Sequence, residues 1–281
     1  MSSIPISTVV VRTSADYRTD LKPIWCPGCG DFAVLAAMQQ ALVALQIDPK
    51  DLAIVSGIGC SSRLPGFVQA YGLHTVHGRC LPAAQGIKLA RPDLTVLAVG
   101  GDGDFFSIGA GHLSHAFRRD LNITCIVMDN EIYGLTKGQT SPTSPHGHVT
   151  KSTPLGNPAF PLRPLALALA SGATFVARGF SSQPKPLAEL IRKGMEHQGF
   201  SFIHVMSPCV TFYDTYTLYR EKVYPIPEDH DPRDSAAAMR YAMDAERLPL
   251  GLLYQAPPAV RPAPVALRAF DTLGYLAQFR A

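Results

Sequence analysis

The sequence predicts an α/β fold: an open, mostly parallel sheet with helices on both faces. Three observations carry it. Residues 94–99 and 123–128 are apolar, β-branched runs that read as strands buried on both sides. Residues 105–119 between them have the length and mixed polarity of a helix, so the two strands are parallel and the crossover is right-handed. Similar short apolar runs recur at Leu52–Ser56, 174–177 and 202–206, alternating with helical stretches.

Taken in order, residues 1–20 form an irregular arm. Residues 32–45, rich in Ala, Leu, Met and Gln, form a helix that Asp31 can cap. Leu52–Ser56 is a buried strand that ends at Gly57-Ile58-Gly59-Cys60. Residues 75–79 reach a loop, and residues 82–90 form a helix with Pro82 in its first turn. After the central strand–helix–strand unit, residues 131–161 make a long loop rich in Gly, Pro, Ser and Thr, of the kind that is often functional. Residues 165–171 and 186–197 read as helices. Prolines then cluster at 225–232 and 257–264, around a short helical segment at 235–246. The expected organisation is an arm (1–20), a main domain (21–215) and a Pro-rich tail (216–281) that wraps a partner.

Composition narrows the function classes. Only 17% of the 281 residues are charged, against about a quarter in an ordinary domain. Surface destined for burial against another chain accounts for that. The net charge of +3, without a long basic run, does not point to nucleic acid. No apolar stretch approaches the ~20 residues of a membrane span, and the N-terminus is not a secretory signal. With the chain expected to be cytoplasmic, its six cysteines point to thiolate ligands or core residues rather than disulfides.

The chemistry concentrates on one sheet edge. Asp102, in Gly101-Asp102-Gly103, and Asn130 sit at the carboxyl ends of two parallel strands, where open α/β sheets bind ligands. A carboxylate and an amide carbonyl suit Mg²⁺, and flanking glycines with a helix start suit a diphosphate. Cys26 and Cys29 form a C-x2-C turn, which serves zinc, an iron–sulfur cluster or a redox disulfide. Cys60 and Cys209 follow predicted strands on that edge, so four thiolates can converge there. Cys80 and Cys125 read as ordinary buried residues.

The words WCPGCGDF, SGIGCSSRLPGF, HGR, GIKLARPDLTV, GGDGD and IYGLTKGQTSPTS, in that order, resemble the β subunit of 2-oxoacid:ferredoxin oxidoreductases, most closely the 2-oxoglutarate type. The resemblance covers roughly residues 20–215. It implies a thiamin-diphosphate-binding fold and CoA-dependent oxidative decarboxylation of 2-oxoglutarate, with electrons passing to ferredoxin. It also implies Mg²⁺ held by Asp102, Asn130 and the Ile132 carbonyl, and a 4Fe–4S cluster on Cys26, Cys29, Cys60 and Cys209. Gly103, Asp104, Gly134 and Leu135 are expected against the diphosphate, and Ile58, Gly59, Cys60 and Ser61 against the cofactor from the cluster side. His77 and Arg63 are the candidate catalytic residues: His77 near diphosphate or substrate, Arg63 for the distal carboxylate of a dicarboxylic 2-oxoacid. Lys137 either holds the long loop or lies exposed.

The carboxylate that activates thiamin diphosphate is expected from a separate α subunit that bears the pyrimidine-binding domain, in an αβ or (αβ)2 assembly. Two departures stand out. Tyr213 replaces the usual Asn of PCVTFND, and Glu131 replaces the Gly of DNGIYG; Glu131 is expected to face solvent or to weaken diphosphate binding slightly. Two other functions remain open: a thiamin-dependent decarboxylase or lyase half without electron transfer, and a zinc-stapled, non-catalytic scaffold.

Overall fold

A computed structural model describes residues 11–244 and 246–257. Helix α1 (Asp31–Leu45) precedes β1 (Leu52–Ser56), β2 (Tyr71–His74) and α2 (Cys80–Ala90). The central unit is β3 (Thr95–Gly101), α3 (Ala110–Arg119) and β4 (Ile123–Asp129). A small hairpin follows, β5 (Ile132–Tyr133) and β6 (Gln139–Thr140). Then come α4 (Pro164–Ala170), β7 (Phe175–Phe180), α5 (Pro184–Glu196) and β8 (Phe200–Met206). The last elements are α6 (Tyr216–Lys222), β9 (Val223–Pro225), α7 (Ser235–Met243) and β10 (Leu248–Gln255).

The main sheet has the order β2-β1-β3-β4-β8-β7-β10-β9. Its first six strands are mutually parallel; β10 runs antiparallel to β7 and parallel to β9. Side chains alternate between two cores, as the pleat requires. Ile54, Leu97, Val99, Ile126, Met128, Ile203 and Val205 pack toward α1 and α5. Val55, Val96, Ala98, Cys125, Val127 and Phe202 pack toward α2, α3, α4 and α7. Each fully buried large apolar side chain stabilises the fold by roughly 1.5–3 kcal/mol; β4 is buried along its whole length and apolar but for Thr124, whose hydroxyl donates to the Gly194 carbonyl at 3.2 Å, and Asp129 at its end.

Three expectations change. The helix expected over 105–119 is broken: a wide turn spans Asp104–Ile108, Ser107 leaves helical geometry (φ −97°, ψ −105°), and α3 starts only at Ala110. Asp31 does not cap α1; it is the first helical residue, and its carboxylate accepts hydrogen bonds from the Ser61 and Ser207 hydroxyls at 2.9 and 2.7 Å. The division near residue 215 does not coincide with a break in the sheet. Residues 216–255 add β9, α7 and β10, and Leu253, Ala238 and Ala242 are buried in the core beside α4. Residues 1–10 of the expected arm and 258–281 of the expected tail lie outside the described residues. No helix among the described residues is long and apolar enough to cross a membrane.

Candidate active site

The sheet reverses direction of growth between β1 and β3, and a cavity of about 460 Å³ opens at that switch point. It is lined by the turn after β1 (Ile58, Gly59, Cys60, Ser61), by His77, by the turn after β3 (Asp102, Gly103, Asp104), by Asn130 and Ile132 after β4, and by Gly134 and Leu135. Every residue expected at the diphosphate or its metal therefore lies on one cavity wall. Gly101, Tyr133, Thr136 and Gln139 line it too, and sequence reasoning missed them.

Asp104 organises the rim. Its Oδ1 accepts from the Ile58 and Gly78 backbone N–H groups at 3.0 and 2.7 Å and lies 2.7 Å from His77 Nδ1. One buried carboxylate thus pins two loops that carry cavity residues. The tight fit of Gly78 follows: at φ +70°, an added Cβ would fall 2.5 Å from Ile108 and 2.6 Å from the Gly109 nitrogen. Across the cavity, Tyr133 donates to the Gly103 carbonyl at 3.1 Å. A Cβ on Gly103 would sit 2.2 Å from the Tyr133 ring, so this wall admits only glycine.

Asp102 is almost wholly buried, and burial followed by the nearby Asp129 pushes its carboxyl well above the usual range. Thr143 Oγ1 lies between the two acids, 3.0 Å from Asp102 Oδ2 and 2.8 Å from Asp129 Oδ1. Two buried carboxylates this close call for a cation. Asn130 Oδ1 accepts from the Ile132 N–H at 3.1 Å, which folds the strand end into a turn at the cavity.

The four cysteines of the expected cluster gather beside this cavity. Tyr216 donates to the Gly28 carbonyl at 3.0 Å, and Gly30 N–H donates to the Pro208 carbonyl at 3.1 Å, which ties the C-x2-C turn to the Cys209 segment. Trp25 donates to the Cys60 carbonyl at 2.7 Å. A Cβ on Gly134 would lie 3.7 Å from both Cys60 Sγ and Cys209 Sγ. Cys209 and Cys60 stand close enough to Cys29, and Cys209 and Cys26 close enough to Cys60, for a thiolate on one to oppose ionisation of the other. Burial, then Asp31, pushes the Cys60 thiol up to about 11, and the same two causes raise Cys29. Asp31 itself is pushed up to about 6 by burial. Such thiols ionise only against concentrated positive charge, which bound metal provides. Among the described residues no three His, Cys, Asp or Glu side chains stand close enough to hold one metal ion. Cys80 and Cys125 are buried away from this group, Cys80 Sγ donating to the Val55 carbonyl at 3.1 Å.

Four further residues singled out in the sequence lie outside the main cavity. Arg63 lines a cleft with Ile24, Pro65, Phe67 and His74, apart from the main cavity. Lys137, held at φ +77°, is exposed beside a groove it shares with Lys151 and Phe212, the second of the two placements expected of it. Glu131, at φ +58°, turns away from the diphosphate cavity and from bulk solvent into a second cavity, where burial and then Asp129 push it up to about 8. Tyr213 keeps the Cys209 turn closed, its N–H donating to the Cys209 carbonyl at 3.1 Å, and its ring packs on His148 at 4.3 Å.

Comparison with known proteins agrees with this geometry. Residues 57–205 match the family model of the thiamine pyrophosphate enzyme C-terminal TPP binding domain, and residues 209–261 match that of the C-terminal part of the pyruvate ferredoxin oxidoreductase β chain. The chain is 44% identical over 260 residues to 2-oxoacid:ferredoxin oxidoreductase 1, subunit beta, of Aeropyrum pernix, covering 88% of this chain and 82% of that protein. It is 43% identical over 205 residues to the 2-oxoglutarate synthase subunit KorB of Methanocaldococcus jannaschii, covering 73% and 76%. It superposes with a TM-score of 0.88 and 44% identity on a structure of 2-oxoglutarate:ferredoxin oxidoreductase from Magnetococcus marinus with 2-oxoglutarate, coenzyme A and succinyl-CoA bound, covering 96% and 97%. The chain therefore belongs to the β subunits of the 2-oxoacid:ferredoxin oxidoreductases, the thiamin-diphosphate-dependent enzymes that work as hetero-oligomers.

Proposed function

We propose that this β subunit binds thiamin diphosphate through Mg²⁺ together with one 4Fe–4S cluster. With an α subunit, in an αβ or (αβ)2 cytoplasmic assembly, it converts 2-oxoglutarate and coenzyme A to succinyl-CoA and CO₂ and passes two electrons to ferredoxin. The observation that carries this is Cys60, which lines the diphosphate cavity and also stands among the four gathered cysteines. Thiamin diphosphate, when bound, supplies the carbanion chemistry that releases CO₂, and the cluster accepts electrons one at a time.

The chain's own residues hold and orient. Asp102, Asn130 and the Ile132 carbonyl offer three hard oxygen ligands to Mg²⁺, leaving positions for diphosphate oxygens. Gly103, with Tyr133 against it, lets backbone approach the diphosphate. His77 is oriented by Asp104, which engages Nδ1 and leaves Nε2 as the remaining polar atom of the ring. Ile58 and Leu135, 38% and 43% exposed at the cavity, offer apolar cover that a partner subunit would complete.

The test is to co-purify the chain with its α subunit under anaerobic conditions, to quantify iron and thiamin, and to compare ferredoxin reduction with 2-oxoglutarate and with pyruvate. About four irons per β chain and a clear preference for 2-oxoglutarate are expected. A colourless complex, or pyruvate as the better substrate, overturns the corresponding part. Gly103→Ala in the same complex is expected to weaken thiamin diphosphate binding about tenfold, since overpacking of a tight wall costs roughly 1–3 kcal/mol. Calorimetric titration reads this directly.

A further inference from the structure

A buried polar chain runs behind Asp102 into the second cavity, of about 270 Å³, and of its outer members only Thr143 falls inside a motif word, with no role attached to it there. Thr143 Oγ1 stands between Asp102 Oδ2 and Asp129 Oδ1. A hydroxyl has one proton, so it donates to one of these carboxylates at a time. Asp129 has its own donors. Its Oδ1 accepts from Glu131 N–H at 2.9 Å, and its Oδ2 lies 2.8 Å from His204 Nε2. His204 Nδ1 lies 3.3 Å from Arg178 Nε.

Chemistry fixes the direction of this chain. A guanidinium only donates, so His204 Nδ1 accepts and the ring proton sits on Nε2, where it is given to Asp129. The sheet register enforces the contact, because Arg178 and His204 are direct cross-strand partners on β7 and β8. All five side chains are buried, and Asp102, Asp129 and His204 are at most 2% exposed. With Glu131 N–H and His204 engaged, Asp129 keeps two donors whichever way the Thr143 hydroxyl turns.

We propose that Thr143 is a positioning residue for Asp102: its hydroxyl holds Oδ2 and leaves Oδ1 for the divalent cation, and the Arg178–His204–Asp129 chain keeps that hydroxyl available. The inference rests on the metal site proposed above. Metal ligands held this way typically lose about 10- to 100-fold in affinity when the outer partner is removed.

The experiment uses the anaerobic α–β holoenzyme, stripped of divalent cation and supplied with excess thiamin diphosphate. Free Mn²⁺ is followed by electron paramagnetic resonance. Thr143→Val is expected to weaken Mn²⁺ binding about tenfold or more, with iron content unchanged, and Thr143→Ser to restore it. His204→Phe, with Thr143 intact, is expected to weaken binding in the same direction, because Asp129 then competes for the hydroxyl.

The double variant is expected to be no weaker than Thr143→Val alone, since both changes act through one hydrogen bond. Unchanged Mn²⁺ affinity in Thr143→Val, or fully additive losses in the double variant, overturns the inference. If Thr143→Val does not assemble, Thr143→Ala carries the same expectation without added bulk. Failure of the underlying metal-site reading looks different: the unaltered holoenzyme then binds no Mn²⁺ that depends on thiamin diphosphate.

Discussion

Cys60→Ser is expected to strip the complex of its iron and to lower ferredoxin reduction by more than about a hundredfold, beyond the range typical of changes outside the ligand shell. Hydroxyl oxygen is a poor ligand for iron that thiolates otherwise hold. The Cys60 thiol also sits where burial and Asp31 oppose ionisation, so the iron itself must draw off the proton. Thiamin diphosphate binding is expected to survive, because the Ile58 N–H remains tied to Asp104 and the Cys60 carbonyl to Trp25. Visible absorbance, iron analysis and calorimetry with thiamin diphosphate separate the two effects. Cys125→Ala and Cys80→Ala are the controls and should retain full iron, since both side chains are buried in the opposite core. Iron retained in Cys60→Ser would remove this residue from the ligand set.

The second large effect is a split in sign. Asp102→Asn is expected to weaken divalent-cation and thiamin diphosphate binding about a thousandfold, roughly 4 kcal/mol, because a neutral amide replaces the only carboxylate offered to Mg²⁺. The same change is expected to stabilise the cation-free protein by about 1 kcal/mol or more. Without a cation, Asp102 and Asp129 are two buried acids on either side of one Thr143 hydroxyl. The amide removes that repulsion and can donate to Thr143 Oγ1. Thermal unfolding of the chelator-treated complex, run beside the binding titration, reads both signs. A cation-free variant less stable than the unaltered protein would mean that Asp102 carries no electrostatic strain.

The parallel centre of the fold was legible because its strands are buried on both faces and therefore mostly apolar, as at β4. The strand β2 was not, since Tyr71, Gly72, Leu73 and His74 are all exposed at the sheet edge and show no apolar run. The tail misled for a related reason. In β10, Pro249 and Gly251 interrupt the pattern, and Gly251 takes φ +133°, so composition argued for irregular chain where the structure has a strand. The break in the 105–119 helix sits where the Gly109 N–H reaches five residues back to the Asp104 carbonyl at 3.1 Å and Ser107 leaves helical geometry, a closure so tight that an added Cβ on Gly109 would meet that carbonyl oxygen at 2.4 Å.

At the site, Asp102 and Asn130 could be read from strand ends, and the cysteines from their motif words. The roles of Arg178, His204 and Thr143 could not, although Thr143 sits inside the word IYGLTKGQTSPTS. Two of them lie mid-strand among apolar neighbours and the third lies in a loop, and only the three-dimensional register of β7, β8 and β4 brings them to one carboxylate. Arg63 shows the converse: a motif word placed it beside Cys60, and the 3-10 turn at Ser61–Phe67 carried its side chain into another cleft.

The antiparallel seal of β10 on β7 has a bearing on biogenesis. During synthesis all four cysteines of the proposed cluster emerge from the ribosome before residues 248–255 do, while the β7 backbone still presents unsatisfied amides to any passing strand. Iron delivery to a nascent chain would thus meet a complete thiol set on an aggregation-prone intermediate, which makes early capture by a chaperone or by the α subunit advantageous.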